Sequence, residues 1–264
     1  MMRRAQRRKG RGNVPLPNVA AALNGYQRPP LNGDGPAVRV KLLGGFALAC
    51  GGREVVLPLP AQRLVAFLAL QDRPLLRLYV AGVLWPDASE KRSYANLRSA
   101  LWRLRKVGEE VVEASAQNLR LAPGVDVDAH RALALARALL GAEPAAEPGD
   151  GTALLAADLL PDWYDDWVVG ERERLYQLRL HALEVLARRL AARGSFGLAA
   201  EAGLAALRSN PLRESANRTL IEVFLAEGNP TEAVRHYRSY RSLLERELGL
   251  APSEQMRALL PELV

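Results

Sequence analysis

The strongest constraint in this 264-residue chain is a change of apolar period. Alternating apolar residues occur in the short stretch Val38-Arg39-Val40-Lys41-Leu42, then Phe46-Ala47-Leu48-Ala49, then Val55-Val56-Leu57, with Gly44-Gly45 and Gly51-Gly52 between them. A period of two broken by paired glycines predicts three short antiparallel strands with glycine turns. Pro58 and Pro60 close that run, and from there the apolar spacing is that of helices. Gln62 to Leu70 carries a stripe of Leu64, Val65, Leu68 and Ala69, and Tyr79 to Trp85 carries another, ended by Pro86.

The third helix is the informative one. Asp87 is placed to act as its N-cap, with Glu90 three residues on in the capping-box position. On a wheel of about 100° per residue, Leu101, Leu104, Ala100 and Tyr94 fall within about 60° of Leu97 and form the buried face. The opposite face collects Arg92, Ala95, Asn96, Ser99, Arg103 and Lys106, with Trp102, Arg98 and Arg105 on one flank. No acid interrupts Lys91 to Val107, and six cations lie between Lys91 and Lys106. Beyond Gly108, the β-like segments Glu110 to Ala114 and Asn118 to Ala122 form a hairpin around Ser115-Ala116-Gln117 and end at Pro123-Gly124. Three strands, three helices with the last one basic, and a hairpin make the element order of a winged helix-turn-helix domain, an α+β fold whose third helix enters the major groove.

Past Val125 the chain reads as all helical. A helix is expected from Asp128 to Leu140, a Pro/Gly/Glu-rich linker from Gly141 to Gly151, and a long helix from about Trp167 to Arg193. Shifting His181–Pro211 by 34 residues aligns Leu186 with Leu220, Leu190 with Phe224, Gly194 with Gly228 and Ala199 with Ala233. A turn glycine and a small second-helix alanine that shift together at this period indicate tetratricopeptide-like helix pairs, with other helical hairpins open at two repeats. The organisation expected is therefore a basic arm over residues 1–36, a winged helix over 37–124 and an all-α tetratricopeptide-like domain over 125–264.

Charge follows the same division. The formal charge is +6 over residues 1–36, +6 over 37–141 and −5 over 142–264. A basic front and an acidic back suit a polyanion-binding module joined to a module with another task. The arm, with Arg3, Arg4, Arg7, Arg8, Lys9 and Arg11, reads as disordered. It either adds non-specific DNA affinity through counterion release or is a solvated extension. Arginine outnumbers lysine 32 to 4, which suits guanine and phosphate contacts and equally follows from GC-rich coding.

The residues argue against an enzyme. No phosphate-cradling Gly-x-x-x-x-Gly-Lys-Ser/Thr run, Gly-x-Gly-x-x-Gly turn or Gly-x-Ser-x-Gly elbow occurs. His130, His181 and His236 stand apart, so no catalytic residue, metal ligand or cofactor is assigned. Asp162, Asp165 and Asp166 are read as acids at the start of the long helix, with Trp163, Tyr164 and Trp167 docking that start onto the preceding helix. The one cysteine, Cys50, gives no disulfide framework, no run is long enough to span a bilayer, and the Arg-rich start lacks the apolar core of a secretory leader. A cytoplasmic, nucleoid-associated protein without membrane contact is expected. Arg92, Asn96, Ser99 and Arg103 are the candidates for base edges; Arg98, Arg105, Lys106 and hairpin Arg120 for phosphates; Trp102 for the hairpin, a thymine methyl or a protein partner. The competing reading is a tetratricopeptide scaffold whose basic front binds RNA or membrane phosphates without sequence preference.

Tyr94 to Arg105, reading Tyr-Ala-Asn-Leu-Arg-Ser-Ala-Leu-Trp-Arg-Leu-Arg, resembles the third helix of the SARP-type activators, regulators of antibiotic and other secondary-metabolite gene clusters. Leu159 to Val168, Asn210-Pro211-Leu212-Arg213-Glu214, and Tyr237 to Pro252 with its Glu247-Leu248-Gly249-Leu250-Ala251-Pro252 ending resemble the bacterial transcriptional activator domain that follows it. The resemblance spans about residues 38–262. It implies an OmpR-like DNA-binding domain and a tetratricopeptide-like domain in a homodimer that binds promoter direct repeats of double-stranded DNA head to tail. It also implies recruitment of RNA polymerase through the sigma factor and other subunits. Two features depart from the family pattern: the basic arm before Val38, and a hairpin tip shorter and less basic than many members carry.

Overall fold

The computed structural model describes residues 37–108, 110–141 and 151–260; the arm and most of the linker expected above lie outside them. The described residues all belong to one compact unit. Strands β1 (Val38–Lys41), β2 (Ala47–Cys50) and β3 (Arg53–Val55) pair antiparallel as the alternation predicts. Gly51 and Gly52, at φ of 52° and 77°, make the two-residue turn between paired Cys50 and Arg53, a conformation that demands positive φ at both positions. A fourth strand that the spacing does not reveal, β7 (Asp126–Val127), joins β1 in parallel, giving the order β3-β2-β1-β7.

Helix α1 (Leu59–Ala69) begins three residues before the predicted start. Pro60 sits in its first turn, where the missing N–H costs nothing and the fixed φ suits a helix, so this proline starts the helix rather than merely ending the strands. Leu64 through Ala69 are all buried, so the expected stripe is a fully enclosed helix end. Helix α2 (Arg77–Leu84) and α3 (Glu90–Arg105) follow. The hairpin is β5 (Val112–Ala114) and β6 (Asn118–Leu121), widened by the two-residue strand β4 (Leu75–Leu76) into a sheet of order β4-β6-β5.

The remainder is helical. Helix α4 (Asp128–Leu140) has the predicted bounds, α5 (Gly151–Ala156) is short, and α6 (Asp166–Ala192) starts and ends one residue before the expected limits. Then come α7 (Phe196–Ser209), α8 (Glu214–Ala226), α9 (Pro230–Leu248) and α10 (Glu254–Arg257). The 34-residue period is a real structural repeat of the pairs α6/α7 and α8/α9. Gly194 and Gly228 have φ of 77° and 81°, and the next residues, Ser195 and Asn229, donate to the equivalent carbonyls of Leu190 and Phe224, each at 2.9 Å. Leu186, Leu220, Ala199 and Ala233 are buried, the alanines at 0% exposure, because a larger side chain would separate the paired helices.

The sheet and the helical half share one apolar core, in which Leu159, Leu160, Val168 and Leu175 pack with Val40, Leu42 and Phe67. The aromatic segment is corrected by this joint. Trp163 stacks on Phe46 at 6.0 Å and Trp167 meets Phe67 edge-on at 5.2 Å, so the two tryptophans dock α6 onto the β1–β2 connection and α1, not onto the preceding helix. Asp165 pairs with Arg63 of α1. The buried Asp128 carboxylate accepts from Leu42 N at 2.8 Å and Leu43 N at 3.0 Å, while Leu160 N donates to Leu42 O at 2.9 Å. Leu160 takes a φ of 42°, uncommon for a side-chain-bearing residue, and Arg172 holds it there by donating to the carbonyls of Leu159, Leu160 and Trp163.

Candidate nucleic-acid interface

Helix α3 begins later than the capping-box reading places it. Pro86 and Asp87 occupy the middle of a turn closed by Ala88 N donating to Trp85 O at 3.1 Å, so Ser89 is the N-cap and Glu90 the first helical residue. Ser89 makes no side-chain cap bond; Ser93 Oγ donates to Glu90 O at 2.9 Å instead. Ser93 is accordingly buried, and Tyr94, expected there, is only half-buried. The rest of the inward face matches the wheel: Leu97, Ala100, Leu101 and Leu104 are at 7% exposure or less.

The outward face is where the functional candidates gather. Arg92, Arg98, Ser99, Trp102, Arg103, Arg105 and Lys106 are all exposed, as is Lys91, which belongs to the same acid-free run and was not among the residues singled out by sequence. Among the described residues no carboxylate lies within ion-pair distance of any of these six cations. Trp102 is 50% exposed, with Lys106 Nζ 3.6 Å and the Arg103 guanidinium 5.1 Å from its ring centre. Cations over an indole face are attracted by its quadrupole, so the ring organises two charges on the helix surface.

Two candidates stand differently. Asn96 is half-buried and lines a groove of about 310 Å³ with Pro58, Pro60, Trp85 and Ser99, which sets it on the α1 side of the exposed face. Arg120 is paired with its cross-strand partner Glu113, whose carboxyl is held below its usual range by that bond. The hairpin itself is anchored. Arg77, at the start of α2, donates its N–H to Gln117 O at 2.8 Å and its Nε to Ser115 O at 2.9 Å, and Ser115 Oγ accepts from Asn118 N at 2.9 Å. The side chain of Arg77 was not legible as a wing anchor, since its partners are 38 residues away.

The three histidines and Asp165 each have a partner within the fold. His130 Nε2 lies 2.6 Å from Ala69 O, His181 Nδ1 2.8 Å from Gln177 O, and His236 Nε2 2.9 Å from Asn217 Oδ1. Asp165 is taken by Arg63. Among the described residues no cluster of three or more His, Cys, Asp or Glu is arranged to hold a metal ion, and no helix is long and apolar enough to cross a membrane.

Comparison with known proteins identifies the family of the helical half. Residues 125–263 match the family model described as the bacterial transcriptional activator domain. The chain is 31% identical over 241 residues to the regulatory protein AfsR of Streptomyces coelicolor, covering 84% of this chain and 24% of that protein. It is 28% identical over 253 residues to the AfsR of Streptomyces griseus, covering 88% and 25%. The chain thus spans about a quarter of the length of these relatives. Among solved structures, Mycobacterium tuberculosis EmbR in complex with a low-affinity phosphopeptide matches with a TM-score of 0.66 at 21% identity, over 86% of this chain and 64% of that one, a likeness of fold.

Proposed function

From a chain that belongs to the bacterial transcriptional activator domain family and is a SARP-type transcriptional regulator, we propose sequence-specific promoter binding through α3, with polymerase recruitment by the helical half. The observation that carries the reading is the run of six exposed cations from Lys91 to Lys106, along α3 and its C-cap, with no carboxylate partner among the described residues. An unpaired guanidinium on a protein surface gains little from its own fold, whereas against phosphate or guanine it makes charge-assisted, bidentate bonds.

In this reading Arg92, Ser99 and Arg103 contact base edges, with Asn96 reaching them from the α1 side, and Arg98, Arg105 and Lys106 contact phosphates. Trp102 presents the apolar surface that fits a thymine methyl. Arg120 reaches a phosphate only by exchanging Glu113 for it, which makes it the weakest contributor. The division of labour follows the domains: residues 1–36 as arm, 37–124 as reader, 125–264 as the activating domain. Two copies head to tail on a direct repeat would place two such helices on one face of the DNA, beside a promoter of a secondary-metabolite cluster in the nucleoid, with the sigma factor of RNA polymerase as the contact.

Footprinting of the purified chain on DNA around its own gene, with and without RNA polymerase, tests this. The expected result is a protected direct repeat beside the promoter and tighter polymerase occupancy. Binding that depends only on salt and charge number, unchanged in sequence preference by Asn96→Ala or Arg103→Ala, would instead establish a non-specific scaffold.

A further inference from the structure

Helices α7 and α9 both pack on α8, and the space left between them is a groove of about 370 Å³. Its apolar surface comes from Leu204, Leu207, Pro211 and Leu243, with Leu204 45% exposed. Leaving a leucine half in water at the mouth of an otherwise apolar depression costs free energy that a bound partner would recover. The polar groups beneath are already satisfied. Asn217 Nδ2 donates to the carbonyls of Pro211 and Arg213, each at 2.9 Å, its Oδ1 accepts a hydrogen bond from His236 Nε2 at 2.9 Å, and Tyr240 OH donates to Glu214 at 3.3 Å.

One charge is left over. Arg208, exposed at the end of α7, borders the groove and makes no ion pair among the described residues, while no carboxylate lines the groove. An apolar trough edged by one uncommitted guanidinium does not match a nucleic acid, which needs several cations and no apolar floor. We propose that the α7–α9 groove docks a short acidic amphipathic segment of a protein partner, its apolar side chains on Leu204, Leu207 and Leu243 and its carboxylate on Arg208. The surface lies wholly within the helical half and is independent of what α3 reads.

The test is selection of a random phage-displayed peptide library on the full chain, followed by binding of the enriched peptides to Leu204→Arg and Arg208→Glu variants. Both substitutions are at exposed positions, and thermal unfolding of each variant is expected to match the parent. The expected outcome is a consensus pairing apolar residues with Asp or Glu, weakened about tenfold or more by either substitution, as truncating an interface anchor does. Replacing the peptide carboxylate by Lys should restore binding to Arg208→Glu. In a reporter assay, Leu204→Arg should retain promoter binding and lose activation. Absence of enrichment over an unrelated protein, a consensus without an acid, or peptides indifferent to Leu204→Arg would each overturn the assignment.

Discussion

The arginines of this protein do two opposite jobs in its two halves. On α3 they stand in water and form no ion pair among the described residues. In the helical half several are consumed by the fold: Arg179, 1% exposed, donates to Leu155 O, to Ala156 O at 3.1 Å and to Asp158 at 3.1 Å. Arg213 donates to Glu184 at 2.6 Å, and Arg189 to Leu139 O at 2.9 Å. The carbonyls that Arg179 and Arg189 reach lie at the ends of α5 and α4, where backbone acceptors have no helical partner. The same residue type is therefore structural where acceptors are prepaid within the chain, and available where they are absent. What distinguishes the two sets of arginines is the supply of acceptors beside them.

The largest effect expected from breaking this contrast is at Arg179. Arg179→Met leaves the α5 carbonyls buried and unbonded, and should cost about 3 kcal/mol or more of stability in urea unfolding. A loss under about 1 kcal/mol would show that water replaces the guanidinium. Arg103→Ala should do the reverse. Its stability change should stay within about 0.5 kcal/mol, while binding to a specific site weakens by about 1–3 kcal/mol, read by fluorescence anisotropy.

A third prediction concerns pH. Burial and the neighbouring Arg235 hold His236 below its usual value of 6.5. The unfolded chain then takes up a proton that the folded one resists, so this contribution is intact above about pH 6.5 and stability declines as pH falls from there toward the folded value. His236→Gln should flatten that part of the stability profile; an unchanged slope would assign it to other groups. The smallest effect is the most pointed. Glu113→Gln turns the paired Arg120 into an unpaired one, and should steepen the salt dependence of DNA binding by about one counterion, with unfolding little changed. An unaltered slope would remove Arg120 from the interface.

How much of this was legible along the chain depended on the range of the interaction. Helix α4 was readable to its ends because Asp128 at its start, the apolar spacing within it and Gly141 behind it are all local signals. The inward leucines of α3 and the turn glycines Gly194 and Gly228 were readable for the same reason. The first turn of α1 was obscured because a proline signals both a strand's end and a helix's beginning. Strands β4 and β7, two residues each, have no periodicity to detect, and exist because β6 and β1 offer them backbone partners.

Periodicity, turn glycines and the acid-free run along α3 thus indicate from the chain alone most of the longer elements and which face of the third helix stays in water. They say nothing about how the sheet-bearing half and the helical repeats join. That joint depends on Arg63 meeting Asp165 across 102 residues, Asp128 capping Leu42 and Leu43 across about 85, and two tryptophans meeting phenylalanines of the other half. Hydrogen bonds and ring contacts act over a few ångströms in space irrespective of distance along the chain, so no local pattern records them. Whether an arginine is spent or free is decided in the same way, by what folding brings beside it.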